Sequence, residues 1–177
     1  MINLKNTLFL AFIITFNAGY AQLSSKEIAV LKIKMVKAVE NSKLTDSLFT
    51  RLNKLSNKTA LVTGYTGTLE ALKAKHSWNP YTKVKFVGRS LKTMKKAIDM
   101  DKQNMEIRFM RFSIEHFTPS FLGFSKDLNV DRKEIVKHFQ NDNFGGTDKE
   151  LVKNVAKFMI DSKRCTAEEI KILQKHL

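Results

Sequence analysis

Thr59-Ala60-Leu61-Val62-Thr63-Gly64-Tyr65-Thr66-Gly67-Thr68-Leu69-Glu70-Ala71-Leu72-Lys73-Ala74-Lys75 is the stretch on which the fold class turns. At about 100° per residue, Leu61, Tyr65, Leu69 and Leu72 make a stripe of large apolar side chains. Ala60, Gly64, Gly67 and Ala71 make a second stripe, of small ones. Glycine inside a helix costs roughly 1 kcal/mol relative to alanine. Two glycines on one face therefore predict a helix that a neighbouring helix approaches closely.

Similar patterns extend in both directions. Toward the N-terminus, Ser25 caps a predicted helix through about Glu40, with Ile28, Leu31, Met35 and Val39 opposite an arc of Lys26, Glu27, Lys34, Lys37 and Glu40. Lys32 falls at the boundary. Thr45 or Asp46 begins a second helix carrying Leu48, Leu52 and Leu55. Beyond the quoted stretch, Trp78-Asn79-Pro80 breaks the period, because proline lacks a donor and pushes Asn79 out of the helical region. Helices follow from about Thr82 to Met100 and from Met105 to Phe117, the second with Ile107, Met110, Ile114 and Phe117 inward. Ser120 to Asn129 reads as a packed loop or short helix, Val130 to Gln140 as a helix, and Asn141 to Gly146 as a loop. Thr147-Asp148-Lys149-Glu150 and Thr166-Ala167-Glu168-Glu169 are capping-box patterns that start two last helices. No run of strand alternation is long enough to argue a sheet. The expectation is an all-α fold: an irregular antiparallel bundle of about seven or eight helices.

The first 21 residues read differently. Lys5 precedes an apolar run from Leu8 to Phe16, and Ala18-Gly19-Tyr20-Ala21 places small residues before a cut. This is the pattern of a secretory signal peptide, and the run is too short to cross a bilayer core of roughly 30 Å. Residues 1–21 are thus expected to be removed, leaving 22–177 as a single helical domain with no transmembrane segment, exported to a periplasm or secreted.

The chain carries a formal charge of +14 with 43% apolar residues. The apolar content is that of a globular chain, and the charge attracts anionic partners such as an envelope surface. Lysine supplies 25 of the cations and arginine 6. Arginine is the fork that grips phosphate and guanine, so this balance argues against specific nucleic-acid recognition. Cys165 is the only cysteine, which excludes an intramolecular disulfide. Lys163 and Arg164 beside it are expected to lower its thiol pKa.

At Ala97-Ile98-Asp99-Met100-Asp101-Lys102-Gln103-Asn104 the chain resembles the end of a tetratricopeptide repeat, with Lys102 where that family has proline. The resemblance implies a tetratricopeptide-like helical pair, from about Thr59 to Met100, in the centre of the bundle. The segments 74–81 and 106–112 also resemble stretches of small secreted bacterial proteins of unknown function, which implies a family and no activity.

Chemistry-bearing motifs are sparse. His76, His116, His138 and His176 are scattered, and neither HExxH nor CxxC is present, so no metal site and no cofactor are expected. Gly145-Gly146 follows no strand and lacks the lysine of a phosphate loop. No GxSxG elbow occurs, and no catalytic residue is assigned. The best candidate is the aromatic and basic middle of the chain, where Trp78, Tyr81, Arg108, Arg111 and His116 are predicted to line an interhelical groove for a peptide or protein partner. A local alternative pairs Arg111 with Glu115 at i, i+4. The leading expectation is a non-enzymatic exported interaction protein. The alternatives are a basic protein associating with an anionic envelope surface, and an enzyme of unrecognised type.

Overall fold

The computed structural model of the chain describes residues 22–177, so the signal peptide expected over 1–21 lies outside the described residues. The described residues form eight α-helices and no strand: α1 Ser25–Ala38, α2 Ser42–Asn53, α3 Ala60–His76, α4 Pro80–Met100, α5 Met105–Phe117, α6 Leu128–Gln140, α7 Lys149–Asp161 and α8 Ala167–Gln174. A single 3-10 turn, Ser120–Leu122, stands between α5 and α6. None of these helices is long and apolar enough to cross a membrane.

Side chains with short polar oxygens set the starts. Ser24 caps α1 in a capping box with Glu27, one residue before the cap expected at Ser25. Asn41 caps α2, which therefore begins before the Thr45 or Asp46 expected to start it. Thr45 is buried instead, and its hydroxyl donates to Ala38 O at 2.9 Å. Asn79 accepts from the amides of Tyr81 and Thr82, so Pro80 takes the first helical position of α4, where its missing N–H costs nothing. Asp148, not Thr147, caps α7. The Thr166–Glu169 box caps α8 as its spacing predicts.

Two cores share one helix. The first buries Leu31, Leu52, Leu69, Met94 and Ile107 among α1–α5; the second buries Phe112, Ile135, Phe139, Val155 and Met159 among α5–α8. Helix α5 serves both, with Ile107 and Met110 facing the first core and Met105 and Phe112 the second. Phe117, expected inward, is 74% exposed. It is the last residue of α5, and its ring meets those of His116 and Phe158 in T-shaped pairs.

Helix α3 is the hub. Its small stripe admits two neighbours rather than one. A Cβ at Gly64 would lie 2.8 Å from Met110 Cε on α5, and one at Gly67 would lie 3.3 Å from the Ser90 carbonyl oxygen on α4. Ser90 Oγ seals that crossing by donating to Gly67 O at 2.7 Å.

Candidate functional site

A cleft of about 640 Å³ opens where the start of α1, the N-terminus of α5 and the α6–α7 loop converge. Leu23, Ile28, Leu61, Met105 and Phe144 give it apolar walls, and Gln103, Asn104, Asn143 and Thr147 give it a polar rim. Local hydrogen bonds fix both rims. Asn104 Oδ1 accepts from the Ile107 amide at 3.2 Å, and its Nδ2 donates to Asp101 Oδ2 at 3.1 Å. The loop is anchored to α6, where buried His138 places its Nδ1 2.6 Å from Asn143 O. Gly145 turns the loop with φ +56°, a conformation that glycine adopts without steric cost.

Charges span the cleft floor. Lys32 Nζ donates to Glu106 Oε2 at 2.8 Å and to Asp148 Oδ2 at 3.4 Å. The other Glu106 oxygen accepts from the Tyr65 hydroxyl. Burial works against the Lys32 ammonium, but the hydrogen bonds and charges of Glu106 and Asp148 outweigh it, so its pKa is raised. Burial, and then the Glu106 anion, push the Tyr65 phenol up and keep it a donor. The Leu151 amide, followed by Lys32, holds the Asp148 carboxyl low. Both Glu106 oxygens are thus engaged within the protein.

The residues predicted to share a groove are placed apart from this cleft. Trp78 and Tyr81 sit at the α3–α4 turn, 98% and 77% exposed. Arg108 and Arg111 point to α6. Arg111 Nε and Nη2 donate to Asp131 Oδ2 and Oδ1 at 2.6 and 2.8 Å, and Arg108 Nη1 reaches Asp131 Oδ1 at 3.1 Å. Asp131 is fully buried, and Arg111 is 5% exposed. Arg108 also donates to Lys102 O, tying the α4–α5 turn to α6. The i, i+4 pairing of Arg111 with Glu115 gives way to Asp131 and to Asp127 at 3.0 Å, because α6 lies directly against this face of α5. His116 lies in an aromatic nest with Phe112, Phe117 and Phe158, and its Nδ1 accepts from Arg164 Nε at 2.9 Å. Burial and then the Arg164 charge lower its pKa. None of these five residues lines the cleft.

The members of the cleft carry weak sequence signals. Lys32 marks the edge of a charged arc, Asn104 has cap character, and Gly145-Gly146 reads only as a turn. Elsewhere, buried Glu70 is held by Arg89 at 3.0 Å and Thr93 at 2.6 Å. Glu115 is buried and accepts from the Asp127 amide at 3.0 Å; burial pushes its carboxyl up to about 7. Cys165 corrects the sequence expectation: burial, with Glu169 adding to it, raises the thiol to about 11 despite the nearby cations. No group of three His, Cys, Asp or Glu side chains arranged to hold a metal occurs among the described residues. In comparison with known proteins, the chain matches no family model, no curated protein and no solved structure.

Proposed function

We propose that this chain is a non-enzymatic helical interaction protein that holds a peptide segment of a partner protein in the cleft between α1, α5 and the α6–α7 loop. The observation that carries the reading is the cleft itself: about 640 Å³, apolar along its walls, polar at its rim, with a charged floor whose members satisfy one another. Ligand sites characteristically combine apolar walls with a few placed polar groups. Gln103 and Asn143 offer donors and acceptors that a peptide backbone can use, and Leu61, Met105 and Phe144 offer seats for its side chains. The leader-like segment at residues 1–21 supports action outside the cytoplasm.

The test is peptide display against the whole protein, followed by affinity measurement on Gly146→Tyr. Gly146 lines the cleft, is exposed, and a Cβ there meets nothing within 4 Å. The tyrosine is thus expected to block the cleft without disturbing the fold. Selected peptides should lose at least about tenfold in affinity while the melting temperature stays put. Peptides that bind the variant as well as the parent would rule the cleft out.

A further inference from the structure

The α3–α4 turn and the outer face of α4 form a second surface, which shares no residue with the cleft. Trp78 is 98% exposed and Tyr81 77%, although each is a large apolar ring. A rigid backbone holds both outward: Asn79 Oδ1 accepts from the Tyr81 amide at 2.9 Å and from the Thr82 amide at 3.2 Å, and Pro80 fixes the first position of the helix. About two turns beyond Tyr81, a Cβ on Gly88 of α4 would lie 3.8 Å from Phe124 Cζ, so the chain just after the Ser120–Leu122 turn packs on α4 there.

The charge along α4 is basic, and Glu40, an acidic group beside the α3–α4 turn, is paired with Lys75. Between Glu70 and Asp99 the sequence contains no acidic residue. Tyr81, Lys85, Gly88 and Lys92 share one face of α4 at about 100° per residue, whereas Lys83, about 200° from Tyr81, projects from the other side. Lys83, Lys85 and Lys92 are exposed.

We infer that this surface docks on an anionic lipid bilayer, with Trp78 and Tyr81 seated at the headgroup level and Lys85 and Lys92 against the headgroups. The rings stand on the tips of turns rather than in a recess, a shape that suits a soft planar surface better than the complementary wall of a protein. Tryptophan and tyrosine favour the membrane–water boundary because one end of each ring is apolar and the other can hydrogen-bond. Lysines supply the electrostatic part, each multiplying partition to an anionic surface roughly fivefold. Preorganised tips lose little freedom on docking.

Trp78 is the only tryptophan, so its emission reports on the surface without a label. The whole protein is titrated with phosphatidylglycerol/phosphatidylcholine vesicles and with phosphatidylcholine vesicles, and binding is also read by co-sedimentation. The expected result is a blue shift and quenching by brominated acyl chains with the anionic vesicles only. Neutralising two lysines, as Lys85→Gln with Lys92→Gln, should weaken partition roughly 30-fold while leaving the melting temperature unchanged. An unmoved spectrum would overturn the inference. So would an equal shift with phosphatidylcholine alone, full binding by the double variant, or a matching shift with soluble polyglutamate, which would mark an acidic-protein site. Gly146→Tyr should keep lipid binding, and Trp78→Ala should keep the cleft peptides, so the two readings fail separately.

Discussion

Replacing Asp131 with alanine tests the buried clamp that fixes α6 to α5. Asp131 is fully buried and takes three arginine donors within 3.1 Å. Its removal leaves the Arg111 guanidinium buried with Asp127, whose carboxylate is 44% exposed. Breaking a buried pair from one side costs about 3–5 kcal/mol, because the remaining charge stays desolvated. The surviving Asp127 contact places the expected loss near the lower end, about 3 kcal/mol. Asp127→Ala removes a half-exposed partner and should cost under about 1 kcal/mol. The double variant Arg111→Met with Asp131→Leu should recover most of the loss, since a well-packed apolar pair replaces a buried ionic one at little net cost. Urea unfolding with an unchanged slope is the assay. Arg108 also links Asp131 to the Lys102 carbonyl, beside the turn that lines the cleft. Asp131→Ala should therefore weaken cleft binding even under conditions where the protein remains folded. A loss below about 1 kcal/mol, or one no larger than that of Asp127→Ala, would refute the clamp.

Two further outcomes follow from the packing and the charges. The Glu115 carboxyl is raised from its ordinary 4.5 to about 7 in the folded protein, so the native state binds a proton that the unfolded state has released. Its contribution to stability is fully present below about pH 4.5 and is lost as pH rises through about 7. The urea midpoint should fall between pH 5 and pH 8 in the parent by more than in Glu115→Gln, with a difference of up to about 3 kcal/mol; parallel pH profiles would contradict this. Gly64→Ala meets the flexible end of Met110, whereas Gly67→Ala meets the backbone oxygen of Ser90 and two atoms of Met94. Thermal unfolding should show Gly64→Ala near neutral and Gly67→Ala destabilised by about 1–2 kcal/mol, as overpacking costs; the reverse order would mean the α3–α4 crossing is looser than its geometry.

How much was legible in the sequence depends on how far apart the interacting groups lie along the chain. Helix existence is a local property: the 3.6-residue spacing of Leu61, Tyr65, Leu69 and Leu72 appears in one stretch, and so does the Thr166–Glu169 box. Most helix starts slipped by one to four residues because short polar side chains compete for a cap, as Asn41 does with Thr45, whereas the ends of α4, α5 and α6 fall where the pattern puts them. The glycine stripe foretold a close approach, but not that α5 takes Gly64 and α4 takes Gly67.

The candidate sites were less legible. An i, i+4 argument pairs Arg111 with Glu115, yet α6 delivers Asp131, twenty residues away, and draws the guanidinium off. Hydrophobicity gives Phe112 and Phe117 the same value, while the first is wholly buried and the second protrudes past the end of its helix. The cleft depends on Lys32 meeting Asp148 across 116 positions, a contact that no local pattern encodes. From its sequence alone, this protein was readable as an all-helical chain of one-sided apolar helices, because backbone periodicity and capping act over a few residues. Tertiary structure alone decided which charges are neutralised, which rings face water and where a cavity remains, because those depend on segments that meet only when the two cores close around α5.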